Sequence, residues 1–336
     1  MDEQNRRLRV GLIGAGIFAR EAHLPALLKA GAQYEVAAVC SRRLTQAQEV
    51  AALVPGGTEA MDDVDALLAR PDIEVVDIVL PIDVQPALVE KALAAGKHVI
   101  SEKPIAPTVA AARAVIRSWL PTGLCWMVAE NWRYEDAFVQ AALSISMGEI
   151  GRPLLASWAL HLPTNASVKY FHTPWRRRGD IPGGFLVDGG VHHVAALRAL
   201  LGEVESVSAC VEQFSADLPP ADSLVASLRF VSGALATYAV TYATGAAWNP
   251  PLVVAGTEGS LRVDRGVLEV ESGGVVTTRA AALRNGIEGE LFAFHRWVTA
   301  GDGCLNTPQQ ALRDLAVVEA MLESAARGVQ VAVVTK

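Results

Sequence analysis

Short apolar runs alternate with amphipathic segments over the first third of the chain. The apolar runs have the length of buried strands and lie at Leu8–Ile13, Val36–Cys40, Val75–Leu80, His98–Ser101 and Cys125–Ala129. The segments between them have helical spacing, at 17–30, 44–53, 61–69, 86–95 and 108–119. Pro25 predicts a break or kink in the first of these helices. Strands and helices that alternate in this way predict a parallel sheet with crossover helices.

The pattern changes after about residue 150. Strand-like runs now follow one another at 153–162, 204–214, 222–230, 234–242, 252–256, 259–264 and 267–271. Helical spacing is found at 134–146, 186–201, 288–299 and 308–326. Strands separated by short turns predict one largely antiparallel sheet. We therefore predict an α/β protein with domains at 1–124 and 125–336, whose last helices are candidates for packing back on the first domain.

Composition narrows the class of protein. The 336 residues are 51% hydrophobic and 19% charged, which supplies enough apolar surface for buried cores and excludes a disordered chain. A net charge of −7 argues against a nucleic-acid partner. The four cysteines are far apart and form no CxxC pair, so we expect neither a metal site nor a disulfide framework. Without a signal peptide or a membrane-length apolar stretch, we expect a cytoplasmic protein with no membrane partner.

The first apolar run ends in a G-x-G-x-x-A motif, Gly14-Ala15-Gly16-Ile17-Phe18-Ala19. Its first glycine permits a tight turn, its second lets the backbone approach a pyrophosphate, and its small last residue lets helix and strand pack closely. The following helix offers free N–H groups to phosphates. Between a predicted strand and a predicted helix, this motif predicts a Rossmann dinucleotide-binding domain. A purely structural glycine turn is the alternative.

The end of the second predicted strand bears on the choice of dinucleotide. An acidic residue there would bind the ribose 2′-hydroxyl of NAD, but this chain has Ser41-Arg42-Arg43. Arginine binds a 2′-phosphate through paired hydrogen bonds and stacks on adenine. We therefore predict NADP(H) rather than NAD(H) as the cofactor, with surface arginines at the start of a helix as the alternative.

Two further groups of residues suit acid–base chemistry. Glu102-Lys103-Pro104 follows a strand at its carboxyl end, where open parallel sheets bind ligands and a lysine amine can exchange a proton with a substrate hydroxyl. Asp188 and His192 are four residues apart and share one face of a predicted helix. Alone, the first pattern is more often a solvated loop. The second alone is more often a helix cap with a core histidine.

Together these motifs resemble the glucose–fructose oxidoreductase, inositol dehydrogenase and rhizopine-catabolism (Gfo/Idh/MocA) family. The resemblance covers nearly the whole chain and includes Gly14-Ala15-Gly16 with His23-Leu24-Pro25, 92–99, Glu102-Lys103-Pro104 and 183–192. It implies a Rossmann domain followed by an α/β domain with a large, mainly antiparallel open sheet. It also implies that Lys103, Asp188 and His192 are catalytic. Residues 16–20, 129–132 and 175–176 are similar to a fungal and bacterial subgroup that uses NADP(H).

The motifs and the resemblance together predict the binding residues. Cofactor contacts are expected from Gly14, Ala15, Gly16, Ile17, Phe18, Ser41, Arg42, Arg43, Leu80, Pro81, Gln85, Glu102, Lys103 and Asn131. Substrate contacts are expected from Asn131, Trp175, Arg176, Asp188 and His192. Ile82 and Gln85 replace a polar pair common in the family, and Ala195 replaces a carboxylate.

The leading hypothesis is an NADP(H)-dependent oxidoreductase that transfers hydride between nicotinamide and a small-molecule sugar, polyol or related hydroxy or carbonyl compound. One alternative is an NAD-dependent glycosidase that oxidises its substrate transiently. A second alternative is a non-enzymatic regulator that senses dinucleotide, although relatives of that kind typically lose the catalytic Lys or His. By analogy with the family, we expect a homodimer or homotetramer.

Overall fold

A computed structural model of the chain describes residues 6–282 and 286–334. The chain forms two compact units. The first unit ends at Asn131 and also includes Gly286–Leu312. The second unit begins at Trp132 and continues from Arg313 after that segment.

The first unit contains a six-stranded, fully parallel sheet with strand order β3-β2-β1-β4-β5-β6. Numbered along the chain, its strands are β1 (Leu8–Ile13), β2 (Tyr34–Cys40), β3 (Glu59–Met61), β4 (Val75–Ile78), β5 (His98–Glu102) and β6 (Trp126–Ala129). The helices between them are α1 (Leu24–Lys29), α2 (Leu44–Ala51), α3 (Val64–Leu68), α4 (Gln85–Ala94) and α5 (Val109–Trp119). The predicted Rossmann architecture is confirmed, because strands buried on both faces pair in parallel through crossover helices.

Two predicted helices of this unit differ from the structure. The segment predicted as one helix at 17–30 is a π-helical turn, Ala19–His23, followed by α1, which has Pro25 in its first turn. Proline is tolerated there because its missing N–H has no partner in the first turn of a helix. The helix predicted at 61–69 begins later, since Glu59–Met61 forms the edge strand β3 and the Asp63 side chain accepts N–H bonds that cap α3.

The sixth strand lies on the other side of the predicted domain boundary. β6 pairs in register with β5, with Val99 opposite Trp126 and Glu102 opposite Ala129. The predicted second domain begins at residue 125, although Cys125–Ala129 is the last apolar run of the first series. A fully buried, apolar strand completes the parallel sheet instead.

The second unit contains a nine-stranded sheet with strand order β14-β13-β12-β11-β7-β10-β9-β8-β15. Its helices are α6 (Asp136–Ser146), α7 (Pro174–Arg177), α8 (Phe185–Leu201) and the part of the last helix, α10 (Pro308–Arg327), that begins at Arg313. Its strands are β7 (Pro153–His161), β8 (Val204–Glu212), β9 (Ser223–Phe230), β10 (Leu235–Thr241), β11 (Leu252–Gly256), β12 (Gly259–Asp264), β13 (Val267–Ser272), β14 (Val275–Ala280) and β15 (Val331–Ala332). All pairs are antiparallel except β7 with β10, so the predicted sheet is confirmed.

The remaining helix, α9 (Ile287–Ala300), belongs to the first unit. Its Leu291 and Phe294 are almost fully buried in the core cluster that includes β1 and β2. The Tyr34 hydroxyl of β2 donates a 2.7 Å hydrogen bond to the Leu291 carbonyl. A segment distant in sequence therefore completes the Rossmann unit.

None of the described helices is long and apolar enough to cross a membrane. The four cysteines are free, with Cys40 and Cys125 buried and Cys210 exposed. The cytoplasmic location stays a prediction from the sequence.

Candidate active site

The glycine motif forms the turn after β1. Gly14 is buried with φ of +119°, and a Cβ at this position would lie 2.3 Å from the Val79 carbonyl oxygen. Val79 directly follows β4, and its N–H donates a 2.8 Å hydrogen bond to the Ile13 carbonyl of β1. Only glycine satisfies both the backbone conformation and the close approach of the two strands.

Gly16 has a different environment. It is exposed, and a Cβ there would meet no heavy atom within 4 Å. Ala15 and Phe18 are partly buried beside it, and Ile17 is 38% exposed. The structure thus leaves open space at the second glycine of the motif, where a dinucleotide phosphate approaches the backbone in a Rossmann unit. These residues fit a dinucleotide.

Ser41, Arg42 and Arg43 follow β2 at the same edge of the sheet. The Ser41 N–H donates to the Met61 carbonyl at 3.1 Å, which fixes the start of the segment. Both arginines are exposed, and within the described part of the chain neither forms an ion pair or a side-chain hydrogen bond. Two guanidinium groups are therefore available to a ligand at this edge.

The segment after β4 contributes a buried amide. Gln85, the first residue of α4, is 1% exposed, and its Oε1 has no hydrogen-bond partner among the described residues. Leu80 and Pro81 are partly exposed before it, and Ile82 is buried. A buried amide oxygen without a donor is costly, so it suits a donor from a bound ligand. This observation also fits a dinucleotide whose nicotinamide end carries a carboxamide.

Glu102 ends β5, and its side chain contacts His23 of the π-helical turn. Its Oε1 lies 2.7 Å from Nε2 of His23, and the other ring nitrogen, Nδ1, lies 2.8 Å from Oδ2 of Asp77 on β4. Burial alone would lower the pKa of His23, but the charges and hydrogen bonds of Asp77 and Glu102 outweigh it and raise that pKa well above the ordinary value. These contacts favour the imidazolium form of His23 between the two carboxyl groups.

Lys103 comes directly after this carboxylate. Its backbone N–H donates to Oε2 of Glu102 at 3.2 Å, and its side chain is partly exposed. Asn131 lies at the same edge, after β6, and is also partly exposed. The carboxyl ends of β5 and β6 therefore present an amine and an amide.

A second buried carboxyl group faces this region from α9. Glu290 is 1% exposed, and its Oε2 accepts a 2.9 Å hydrogen bond from the Asn306 side chain, which also donates to the Glu130 carbonyl. Burial, followed by the negative charge of Glu102, raises the pKa of Glu290 well above its ordinary value. Burial and the neighbouring carboxylate thus favour the neutral, protonated form of Glu290.

In the second unit, the first turn of α8 carries Asp188. Its Oδ2 accepts a 2.7 Å hydrogen bond from Nε of Arg176 on α7. The Arg176 guanidinium also lies 4.2 Å from the centre of the Trp175 ring. Three residues predicted to bind substrate thus form one connected group, with a carboxylate, a cation and an aromatic face.

His192 lies one turn further along α8. Its ring stacks on Trp132 with ring centres 5.4 Å apart and planes 13° from parallel, and it remains partly exposed. Its neighbour His193 is buried, with Nδ1 2.6 Å from the Tyr238 hydroxyl. The helix therefore separates the two histidines, and the stacked ring is the one that shares a face with Asp188.

A buried phenol also lies against this helix. A Cβ at Gly189 would be only 1.9 Å from the Tyr242 hydroxyl, so the absence of a side chain lets the phenol approach α8. Burial, and then the charge of Asp188, raise the pKa of Tyr242. Its hydroxyl has no hydrogen-bond partner among the described residues.

Comparison with known proteins places this arrangement in a family. Residues 8–130 match a model described as an oxidoreductase family with an NAD-binding Rossmann fold, and residues 138–262 match the Gfo/Idh/MocA C-terminal domain. A dehydrogenase of Fusarium mangiferae is 32% identical, with 94% of this chain and 96% of the relative covered. The chain belongs to the Gfo/Idh/MocA oxidoreductase family. It is therefore an NAD(P)-dependent oxidoreductase, as the resemblance implied.

Other relatives and solved structures agree with this membership. A 1,5-anhydro-D-fructose reductase of Ensifer adhaerens is 29% identical, covering 95% of this chain and 97% of the relative. An oxidoreductase of Thermotoga maritima has a TM-score of 0.91 at 35% identity, over 98% of this chain and 99% of that one. A levoglucosan dehydrogenase, solved in complex with NADH and levoglucosan, has a TM-score of 0.87 at 25% identity, over 98% and 100% of the two chains.

Sequence reasoning assigned no role to several residues of these sites. His23 was named only as part of the resemblance motif His23-Leu24-Pro25. Asp77 is a single carboxylate inside the otherwise apolar run of β4, and that is a signal of a buried partner. Glu290 and Tyr242 carry no such signal, because an acid on an amphipathic helix and a tyrosine at a strand end are common.

Proposed function

We propose that this chain is an NADP(H)-dependent oxidoreductase that interconverts a hydroxyl and a carbonyl group on a sugar, polyol or related compound. Bound NADP supplies or accepts the hydride at its nicotinamide ring. The observation that carries the proposal is the position of Lys103, directly after β5 at the carboxyl edge of the parallel sheet and bonded to Glu102 through its backbone. Family membership supports the reaction class.

Each proposed catalytic residue has a separate task. In the oxidation direction, the Lys103 amine takes the proton of the substrate hydroxyl as its carbon loses a hydride, and in reduction it returns that proton to the oxygen. Asp188, fixed by Arg176, accepts a hydrogen bond from a second substrate hydroxyl and orients the ring. His192, held flat on Trp132, donates to or accepts from the reacting oxygen and assists the lysine.

The substrate class rests on the second unit and on the relatives. Trp175 offers an aromatic face of the kind that stacks on sugar rings, while Asn131 and Asp188 offer hydrogen-bonding groups for hydroxyls. The relatives of the chain include a 1,5-anhydro-D-fructose reductase and a D-apiose dehydrogenase. Both names support a polyhydroxylated carbonyl or alcohol as the substrate.

The two free guanidinium groups after β2 support NADP(H) over NAD(H). The double variant Arg42→Ala/Arg43→Ala is expected to weaken NADPH binding by roughly 10- to 100-fold, the value of one or two charge-assisted hydrogen bonds, and to leave NADH binding nearly unchanged. Isothermal titration of both dinucleotides measures this ratio. Arg117→Ala, which removes an exposed arginine from α5, is the matched control. An unchanged NADPH to NADH affinity ratio in the double variant would refute the assignment.

We also propose that the open face of the nine-stranded sheet joins copies of the chain. Leu155 of β7 and Leu235 of β10 are cross-strand neighbours, and they are 47% and 43% exposed. Val225 of β9 is 62% exposed. Apolar side chains on the exposed face of a sheet favour association. Light scattering should show a dimer or tetramer that Val225→Arg dissociates and that Leu53→Arg, at a 50% exposed position of the first unit, leaves intact. A monomeric wild type would contradict the proposal.

A further inference from the structure

A buried group of three ionisable side chains lies next to the reacting lysine. His23, from the π-helical turn before α1, lies between Asp77 of β4 and Glu102 of β5. The three side chains are 1%, 0% and 11% exposed. We call them the His23 triad. Charged groups are buried to this degree only when they are paired, so the fold has retained them at a cost in desolvation.

The geometry of the triad fixes the number of its protons. Both ring nitrogens of His23 lie within 2.8 Å of a carboxylate oxygen, and a hydrogen bond at each contact needs a proton there. A neutral imidazole carries a single N–H, so one of the two contacts would then need a protonated carboxyl group. The raised pKa of His23 favours the imidazolium, which supplies both protons. The Asp77 carboxylate thus holds the Nδ1 proton in place while Nε2–H is directed at Glu102.

The surrounding titratable groups favour the same protonation state. The charges of His23, Asp77, Glu102 and Glu130 all act on the pKa of Glu290 of α9, and the charge of Asp77 acts on the pKa of Tyr34. Burial and the nearby carboxylates raise the pKa of Glu290 and favour its neutral form. Among these six side chains, only His23 can carry a positive charge. The imidazolium is therefore the local counterion for Asp77 and Glu102.

Glu102 connects the triad to the reacting residue. One of its oxygens is held by His23 and the other accepts the backbone N–H of Lys103 at 3.2 Å. A carboxylate anchored at both oxygens cannot rotate without breaking a charge-assisted hydrogen bond. The position of the Lys103 backbone thus depends on an imidazole that does not itself reach the chain's surface.

We propose that His23 is a positioning residue: kept as an imidazolium by Asp77, it fixes Glu102 through its Nε2–H, and Glu102 fixes the backbone from which the Lys103 amine acts. This inference rests on the proposed function of Lys103. Substitution of His23 or Asp77 should therefore change turnover and leave cofactor affinity nearly unchanged.

Three variants separate this role from simple packing. His23→Ala removes the donor and should lower kcat by roughly 10- to 100-fold with little change in KM for NADPH. His23→Gln places an amide N–H where Nε2–H was, and it should recover most of that loss. A kcat for His23→Gln as low as that for His23→Ala, with both proteins folded, would overturn the proposal.

Asp77→Asn tests the part of the argument that concerns charge. The amide carries no negative charge, so the pKa of His23 falls, and as pH rises through the new pKa the charge-assisted Nε2–H bond to Glu102 becomes a weaker bond from a neutral ring. We expect a decline of kcat at alkaline pH that wild type and His23→Gln lack. A pH profile identical to that of wild type would contradict the role of Asp77.

A readout independent of turnover distinguishes this inference from the function on which it rests. In ¹⁵N-histidine-labelled wild-type protein, the His23 ring should show two protonated nitrogens at pH 8, and in Asp77→Asn one. A neutral His23 ring in wild type would overturn the inference even if the enzyme is active. Retained activity in a Lys103 variant would instead remove the proposed function and leave the charge state of the triad standing.

Discussion

Lys103→Met is expected to lower kcat by roughly three orders of magnitude while NADPH still binds. Methionine keeps the length of the side chain but carries no proton, and general acid–base catalysis contributes about 10²- to 10⁴-fold. The backbone N–H that bonds Glu102 is retained in this variant, so the local fold should persist. Steady-state rates, together with an NADPH titration of the same preparation, measure both quantities.

Lys91→Met is the matched control for this experiment. Lys91 is an exposed lysine of α4 that forms an ion pair with Asp65, and its loss should leave kcat unchanged. A Lys103 variant that turns over within tenfold of wild type would show that another group moves the proton.

The two glycines of the first turn are expected to respond in opposite ways to the same substitution. Gly14→Ala places a methyl group 2.3 Å from a backbone oxygen at a positive φ, so it should lower the free energy of unfolding by about 3 kcal/mol or more. Gly16→Ala meets no neighbour and should leave stability nearly unchanged. It should nevertheless weaken dinucleotide binding at least about tenfold, because the methyl group occupies the space that a phosphate needs.

Chemical denaturation and a dinucleotide titration of both variants test this pair. Because the two substitutions are chemically identical, differences between them report only on position. Gly16→Ala with wild-type NADPH affinity would mean that the phosphates do not approach this turn. Gly14→Ala with wild-type stability would contradict the described β1–β4 contact.

The parallel sheet could be predicted because its strands are continuous apolar runs separated by helical patterns. Strands without that pattern were missed. β14 is exposed along most of its length and β3 has three residues, so neither shows the apolar alternation of a half-buried strand. The helix at 17–30 was predicted as one piece because periodicity does not distinguish a π-helical turn from an α-helical one.

The candidate residues could be named from the sequence, but their contacts with one another could not. The distance along the chain from His23 to Asp77 is 54 residues, and from His23 to Glu102 it is 79 residues. Only the solitary Asp77 in an apolar strand indicated that such a partner must exist. The ion pair of Arg176 with Asp188 depends on the path of a glycine-containing loop between α7 and α8, which local patterns do not determine.

A parallel titration of the wild-type protein with NADPH and NADH tests the central claim most directly. Quenching of fluorescence from the seven tryptophans gives the signal. NADPH is expected to bind at least about tenfold more tightly than NADH, since a 2′-phosphate would gain charge-assisted hydrogen bonds from Arg42 and Arg43. NADH binding as tightly as NADPH, or more tightly, would contradict the account and favour the NAD-dependent glycosidase alternative.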